Sequence, residues 1–264
     1  MTPRNVYFPI YVRQTPDEFC MRLIENPQYA AQWARRAAVQ GRPDGQLAWG
    51  HVLLNGHGVK RDPEAAYRWF ERAAREGFAE ALNMVGRCHE LGWGVPVNSV
   101  AAVYWYRRAA DKGYDWGQYN LACQYLHGRG CGQDYAQALI LFVRAARGGN
   151  AKAMNKLGRY REEGWNGHVK LSSARFWYQR AAVRGCFRGQ FHLARLLADE
   201  GDIDSAVHWF GVSCASAPLR FCREAGMMLV GHANQRLADV GRDALARASG
   251  EVAPMPGCVP VIGK

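Results

Sequence analysis

Long apolar runs are missing from this sequence. A stretch such as "ALILFV" at 138–143 is far too short to cross a bilayer, so no membrane span is expected. The apolar patch in the N-terminal "MTPRNVYFPIYVRQTPDE" is broken by Pro9 and followed by no small-residue cleavage site, which argues against a secretory signal. Closely paired cysteines are missing too. The eight cysteines include no CxxC, which argues against a zinc ribbon or a thioredoxin-type site. A chain of 264 residues can bury a core without staples, so free buried thiols in a reducing compartment, the cytoplasm, are expected. No Gly-rich loop follows a strand, and the eight histidines are scattered without a Ser or Asp at motif spacing. No enzyme, cofactor or metal is expected on these grounds, and nothing in the sequence sets an oligomeric state.

Acidic residues are in short supply, and the net charge is +11. The imbalance is local. Residues 117–188 hold 12 Lys and Arg against 3 Asp and Glu, whereas residues 189–220 hold 2 against 4. Basic chains meet acidic proteins, anionic membranes or nucleic acid.

What the sequence has in abundance is repetition. "FERAAREG" at 70–77 returns as "YRRAADKG" at 106–113, "FVRAARGG" at 142–149 and "YQRAAVRG" at 178–185. Gly41, Gly77, Gly113, Gly149 and Gly185 are each 36 residues apart. Alanine pairs precede them, from Ala37–Ala38 to Ala181–Ala182, and so do Trp33, Trp69, Trp105, Leu141 and Trp177. Trp209 continues the series after a four-residue deletion. A 36-residue period predicts an all-α solenoid of helix-turn-helix units.

The second helix of each unit is the clearer. In "DPEAAYRWFERAAREG", Asp62 caps, Pro63 fits the first position and Gly77 ends the helix. Asn98, Asp134 and Asp202 share the cap column; Lys170 breaks it, and Ser172 is expected to cap there instead. Ala73 and Ala74 admit a close neighbour, and Trp69 is expected to fill the space beside them. The first helix carries Trp49–Gly50, Val85–Gly86, Leu121–Ala122, Leu157–Gly158 and Leu193–Ala194. A glycine inside a helix costs about 1 kcal/mol against alanine, so its recurrence points to a close helix crossing. "GHGV", "GWGV" and "GRGC" then turn the chain, the fourth copy is the longer "GWNG", and the fifth becomes "EGDID".

These motifs resemble the Sel-1-like repeat (SLR) family, relatives of the tetratricopeptide repeat. The third unit, "LACQYLHGRGCGQDYAQALILFVRAARGG", matches best; His89 and Arg161 depart from the motif tyrosine. The resemblance covers about residues 29–232 and implies a right-handed α-α superhelix whose first helices line the concave side, in a protein that serves as an adaptor. The organisation expected is an N-terminal extension and capping helix over 1–28, with "TPDE" at 15–18 as a capping box. A single solenoid over 29–249 follows: a half repeat 29–44, repeats 45–80, 81–116, 117–152, 153–188 and 189–218, and a degenerate cap 219–249. Residues 250–264, rich in proline and glycine, form a flexible tail.

With first helices inward, three columns face the groove. One is His51, Arg87, Cys123, Arg159 and Arg195; the turn before holds Leu47, Asn83, Tyr119, Asn155 and Phe191; one further back are Trp116, Lys152 and Arg188. The partner-binding set expected is Asn83, Arg87, Trp116, Tyr119, Lys152, Asn155, Arg159, Arg188, Phe191 and Arg195. Arginines that fork carboxylates beside asparagines that pair backbone suit an acidic peptide or a C-terminus of a partner protein. A solvated helix face is the plainer alternative. A basic nucleic-acid platform is the second functional alternative, without a recognised motif. Hydrolysis has no identifiable nucleophile. Cys123 and His127, with Cys88 and Cys131, could ligate zinc, but small buried thiols are the simpler reading. Cys214 and Cys222 sit where a cysteine-rich secreted branch of the resembled family places a helix-linking disulfide; only one unit has the pair, so both are expected close but reduced.

Overall fold

The computed structural model describes residues 26–165 and 168–250, so the capping box at 15–18 and the tail lie outside the described residues. All regular structure there is helical. Thirteen helices follow one another: α1 Pro27–Val39, α2 Pro43–Asn55, α3 Pro63–Arg75, α4 Ala79–Leu91, α5 Ser99–Asp111, α6 Asp115–His127, α7 Tyr135–Arg147, α8 Ala151–Glu162, α9 Leu171–Val183, α10 Phe187–Asp199, α11 Ile203–Ser216, α12 Leu219–Leu229 and α13 Gln235–Ser249. The chain divides after Ala145 into two compact units. The first holds α1 to α6 and most of α7, and the second holds α8 to α13. Within each unit helices pack pairwise in sequence order, and first helices also touch the next first helix, α4 with α6 and α8 with α10.

The caps fall where the sequence puts them. Asp62 Oδ1 accepts from the Ala65 N–H at 2.9 Å, and Asn98, Asp134 and Asp202 accept likewise from the third residue on. The fourth copy differs from expectation. Lys170 takes the cap position without a side-chain bond, and Ser172 lies one residue inside α9, where its own N–H is already past the cap. At the other end of α3, Gly77 has φ +79°, and the Gly77 and Phe78 N–H groups return to the carbonyls of Ala74 and Ala73.

The ring that fills the core is not the Trp column. Phe70, Tyr106, Phe142, Tyr178 and Phe210, each one residue later, are buried, whereas Trp69, Trp105, Trp177 and Trp209 are half-buried. The helix glycines answer to these rings. A Cβ on Gly86 would lie 2.7 Å from the Tyr106 ring, and Gly50 and Gly158 would meet Phe70 and Tyr178 in the same way. The close backbone crossing is made elsewhere, at Gly45, Gly117 and Gly189. There an added Cβ would stand 2.5–2.6 Å from the Cβ of Ala37, Ala109 and Ala181. The second loop glycine of the first three turns has a packing reason of its own. Gly58, Gly94 and Gly130 have positive φ, and a Cβ on any of them would overlap the backbone at Pro27, Pro63 and Ser99, the first turn of the preceding second helix.

Candidate functional site

The first-helix faces are built on α4 and α6 in one unit and on α8 and α10 in the other. The ten expected residues separate into three groups.

Asn83, Asn155 and Phe191 are buried, and their expected exposure to a groove is corrected. They precede the arginine column by four residues, which at 3.6 residues per turn rotates them by about 40°. That rotation turns them into the seam with the neighbouring helix. Asn83 Oδ1 accepts from Asn120 Nδ2 of α6 at 2.8 Å. Phe191 packs edge-on against Phe210 and Phe221 at 5.2 and 5.4 Å between centroids.

Arg159 and Arg195 are engaged by the chain's own acids. Glu163 takes Arg159 Nε at 2.8 Å and Nη2 at 2.6 Å, and it also accepts from the Trp165 indole N–H at 2.6 Å. Arg195 pairs with Glu162 and, at 3.6 Å, with Asp199.

The remaining five are Arg87, Trp116, Tyr119, Lys152 and Arg188. Arg87 is half-buried, lies 4.7 Å over the Trp93 ring, and has no carboxylate partner among the described residues. Trp116 and Tyr119 are half-buried and meet edge-on at 6.0 Å. Lys152 is exposed on α8, and Arg188 is exposed with its guanidinium 4.8 Å from the Phe187 ring. The histidines nearby carry no charge. Burial first, then Arg87, lowers His51 to about 3, and burial followed by Arg195 lowers His192 to about 4.

A second network was not among the candidates. Glu90 accepts from the Tyr106 hydroxyl at 2.5 Å and from Gln124 Nε2 at 2.8 Å, tying α4, α5 and α6 together. Glu162 repeats the arrangement, accepting from Tyr178 at 2.7 Å and from Arg195. Burial alone would push the Glu162 carboxyl up; the bonds from Tyr178 and Arg195 outweigh it and hold the carboxyl below its ordinary value. The signal is in the sequence. Glu90 and Glu162 pair with Tyr106 and Tyr178, whereas Leu54, Leu126 and Ala198 at the same register pair with Phe70, Phe142 and Phe210. The hydroxyl occurs only where the acid does.

Cys214 and Cys222 are buried free thiols, and the Cys222 thiol donates to the Cys214 carbonyl at 3.2 Å. Among the described residues no three His, Cys, Asp or Glu side chains gather as a metal site, and no helix is long and apolar enough to cross a membrane.

The pattern of the Sel1 repeat matches residues 21–41, 43–78, 79–114, 117–150 and 151–186. No curated protein matches the sequence. Among solved structures, a protective antigen of uropathogenic Escherichia coli with an SLR fold is similar at 29% identity and TM-score 0.64, over 88% of this chain. This chain spans 52% of that protein's length. A Sel1 repeat protein from Oxalobacter formigenes is similar at 23% identity and TM-score 0.73, over 88% of this chain and 99% of that one. An immunity protein of Pseudomonas aeruginosa, at 16% identity and TM-score 0.55 over 96% and 89% of the two chains, shares the fold.

Proposed function

The chain belongs to the Sel1 repeat family, whose members generally serve as protein–protein interaction scaffolds, and from that premise we propose that it binds an acidic, extended segment of a partner protein on its first-helix faces. The observation that carries the reading is the division of labour between positions. Alanines, glycines and core rings recur because packing requires them. The first-helix positions where the copies disagree hold Arg87, Trp116 and Tyr119 in the first unit and Lys152 and Arg188 in the second. An arginine without an internal acid recognises carboxylates in two-point fashion, and half-exposed aromatics pack the side chains around them. The role is that of an adaptor, not an enzyme, and we place it in the cytoplasm.

Capture of partners from native lysate tests the proposal. Arg87→Glu and Arg188→Glu reverse charge without breaking an internal ion pair of these two arginines. They are expected to lose partners that the wild type retains; equal recovery sinks the assignment of the face. The charge of residues 117–188 favours one further reading, a platform for nucleic acid. Binding of a single-stranded oligonucleotide that weakens steeply with salt would support it, and no binding at low salt would end it.

A further inference from the structure

The Gly-Trp turns that end α4 and α8 are built alike and differ in one acid. In the second unit, Glu163-Gly164-Trp165 follows Arg159, and the Glu163 carboxylate bridges the Arg159 guanidinium and the Trp165 indole N–H. In the first unit, 72 residues earlier, Leu91-Gly92-Trp93 follows Arg87. The turn is the same, since Gly92 and Gly164 have φ +71° and +63°. The stacked pair is the same as well, with the guanidinium 4.7 Å from the Trp93 ring and 6.0 Å from Trp165. The acid is replaced by Leu91, which is 49% exposed, and Arg87 Nη1 instead meets the Met84 sulfur at 3.8 Å. Arg87 therefore has no carboxylate partner among the described residues, and no acceptor meets the Trp93 indole N–H there. The Glu90 carboxylate, three residues on, is already held by the Tyr106 hydroxyl and by Gln124. Burial pushes the Cys88 thiol up to about 12 and raises the Tyr106 and Tyr114 hydroxyls, so all three stay uncharged beside Arg87. Trp93 also lines an open cleft of about 520 Å³ with Pro63, Val95 and Pro96, and both Arg61 and Glu64 lie at the same cleft.

We propose that Arg87 and the Trp93 indole N–H clamp the carboxylate of a glutamate side chain from a partner protein, the group that Glu163 supplies internally in the other unit. The cleft beside Trp93 takes the adjacent apolar or proline residue of the same extended segment. The proposal rests on the reading of the chain as an interaction scaffold and names one of its contacts.

The chain provides its own control. Leu91→Glu restores the internal acid and is expected to close the clamp. The probe is acetyl-Glu-Pro-Val-Pro-amide, with acetyl-Gln-Pro-Val-Pro-amide as its match, titrated against the ¹⁵N-labelled full chain. The readout is the Trp93 indole signal, identified with Trp93→Phe. In the wild type the glutamate peptide is expected to shift that signal saturably, and the glutamine peptide to bind at least tenfold more weakly. In Leu91→Glu the signal is expected to start at a shifted position and stop responding; Arg87→Ala is expected to lose the response. The other indole signals report that each variant is folded. No response in the wild type, an equal response to the glutamine peptide, or an undiminished response in Leu91→Glu overturns the clamp. Lysate capture separates this failure from that of the scaffold reading. Partners held by a wild type that ignores the peptide leave the scaffold standing without the clamp, and a wild type that captures nothing defeats the scaffold while the peptide still judges the clamp.

Discussion

Tyr106→Phe removes one oxygen from a side chain that is fully buried. The ring keeps its place against Gly86, so no cavity of consequence opens. What is lost is the donor to Glu90, a bond of 2.5 Å to a carboxylate. The acid cannot swing out to water without also leaving Gln124, which holds its other oxygen at 2.8 Å and is itself buried. A hydrogen bond to a charged group contributes about 1.5–3 kcal/mol, and the single variant should cost that much. In a chain of this size 1 kcal/mol moves the midpoint by about 2–4 °C, so a fall of roughly 3–12 °C is expected. The same chain shows how to cancel the loss. Leu54, Phe70 and Cys88 occupy the register of Glu90, Tyr106 and Gln124 one repeat earlier, and all three are buried. Glu90→Leu with Tyr106→Phe should recover part of the stability, with Gln124 left unsatisfied. Adding Gln124→Cys should recover most of the rest, because replacing every polar partner by a group of matching shape is close to neutral. Thermal and urea unfolding by circular dichroism give the size of each step, and hydrogen exchange of the α4, α5 and α6 amides shows whether the loss is local. A single variant as stable as the wild type would refute the argument, and so would a triple variant weaker than the single.

Two glycines separate space from backbone conformation. Gly86→Ala drives a methyl into the Tyr106 ring and should cost about 1–3 kcal/mol despite its better helix propensity. Gly113→Ala meets nothing within 4 Å but sits at φ +80°, and should cost about 1–2 kcal/mol for the left-handed backbone alone; urea midpoints that leave both unchanged would contradict this. His51 has a folded pKa of about 3 against 6.5, so only the unfolded state gains its proton between those values. Stability therefore falls as pH drops from about 6.5 toward 3, by up to about 4 kcal/mol, and the gap between the wild type and His51→Gln should change over that window; a gap flat with pH would exclude the mechanism. Glu80 has the opposite sign. Burial, then Asp115, raises its carboxyl from 4.5 to about 7, so the protonated form favours folding and the contribution is lost as pH rises through about 7. Glu80→Gln should gain on the wild type by about 2 kcal/mol at pH 8 and by little at pH 4, read from the same midpoints.

The periodic positions of the fold were legible because packing is imposed once per unit and leaves the same residue each time. Caps at Asp62, Asn98, Asp134 and Asp202 and the stop at Gly77 need only local geometry, and local geometry is what a motif records. The misplaced features involve direction around a helix. The sequence assigned the space beside the alanines to Trp69, yet one residue of rotation, about 100°, gives it to Phe70. A smaller rotation, about 40° over four residues, took Asn83, Asn155 and Phe191 from the groove into the seam, since the tilt of a helix against its neighbour is not written in its own residues. Where copies differ, comparison between them recovers what a single copy conceals. Acid and phenol change together at 90 and 106 and at 162 and 178, which marks a contact before any coordinate is known. The reasoning also runs to the site. Arg159 and Arg195 each have an acid four residues on, Glu163 and Asp199, and both are engaged by it in the fold. Arg87 has Leu91 at that spacing. An i,i+4 pair is worth only a few tenths of a kcal/mol to a helix, so its absence at one copy costs the fold little. It leaves the Arg87 guanidinium, which meets only the Met84 sulfur, and the Trp93 indole without the acid that Glu163 supplies in the other copy, and that is the place the proposed partner glutamate fills.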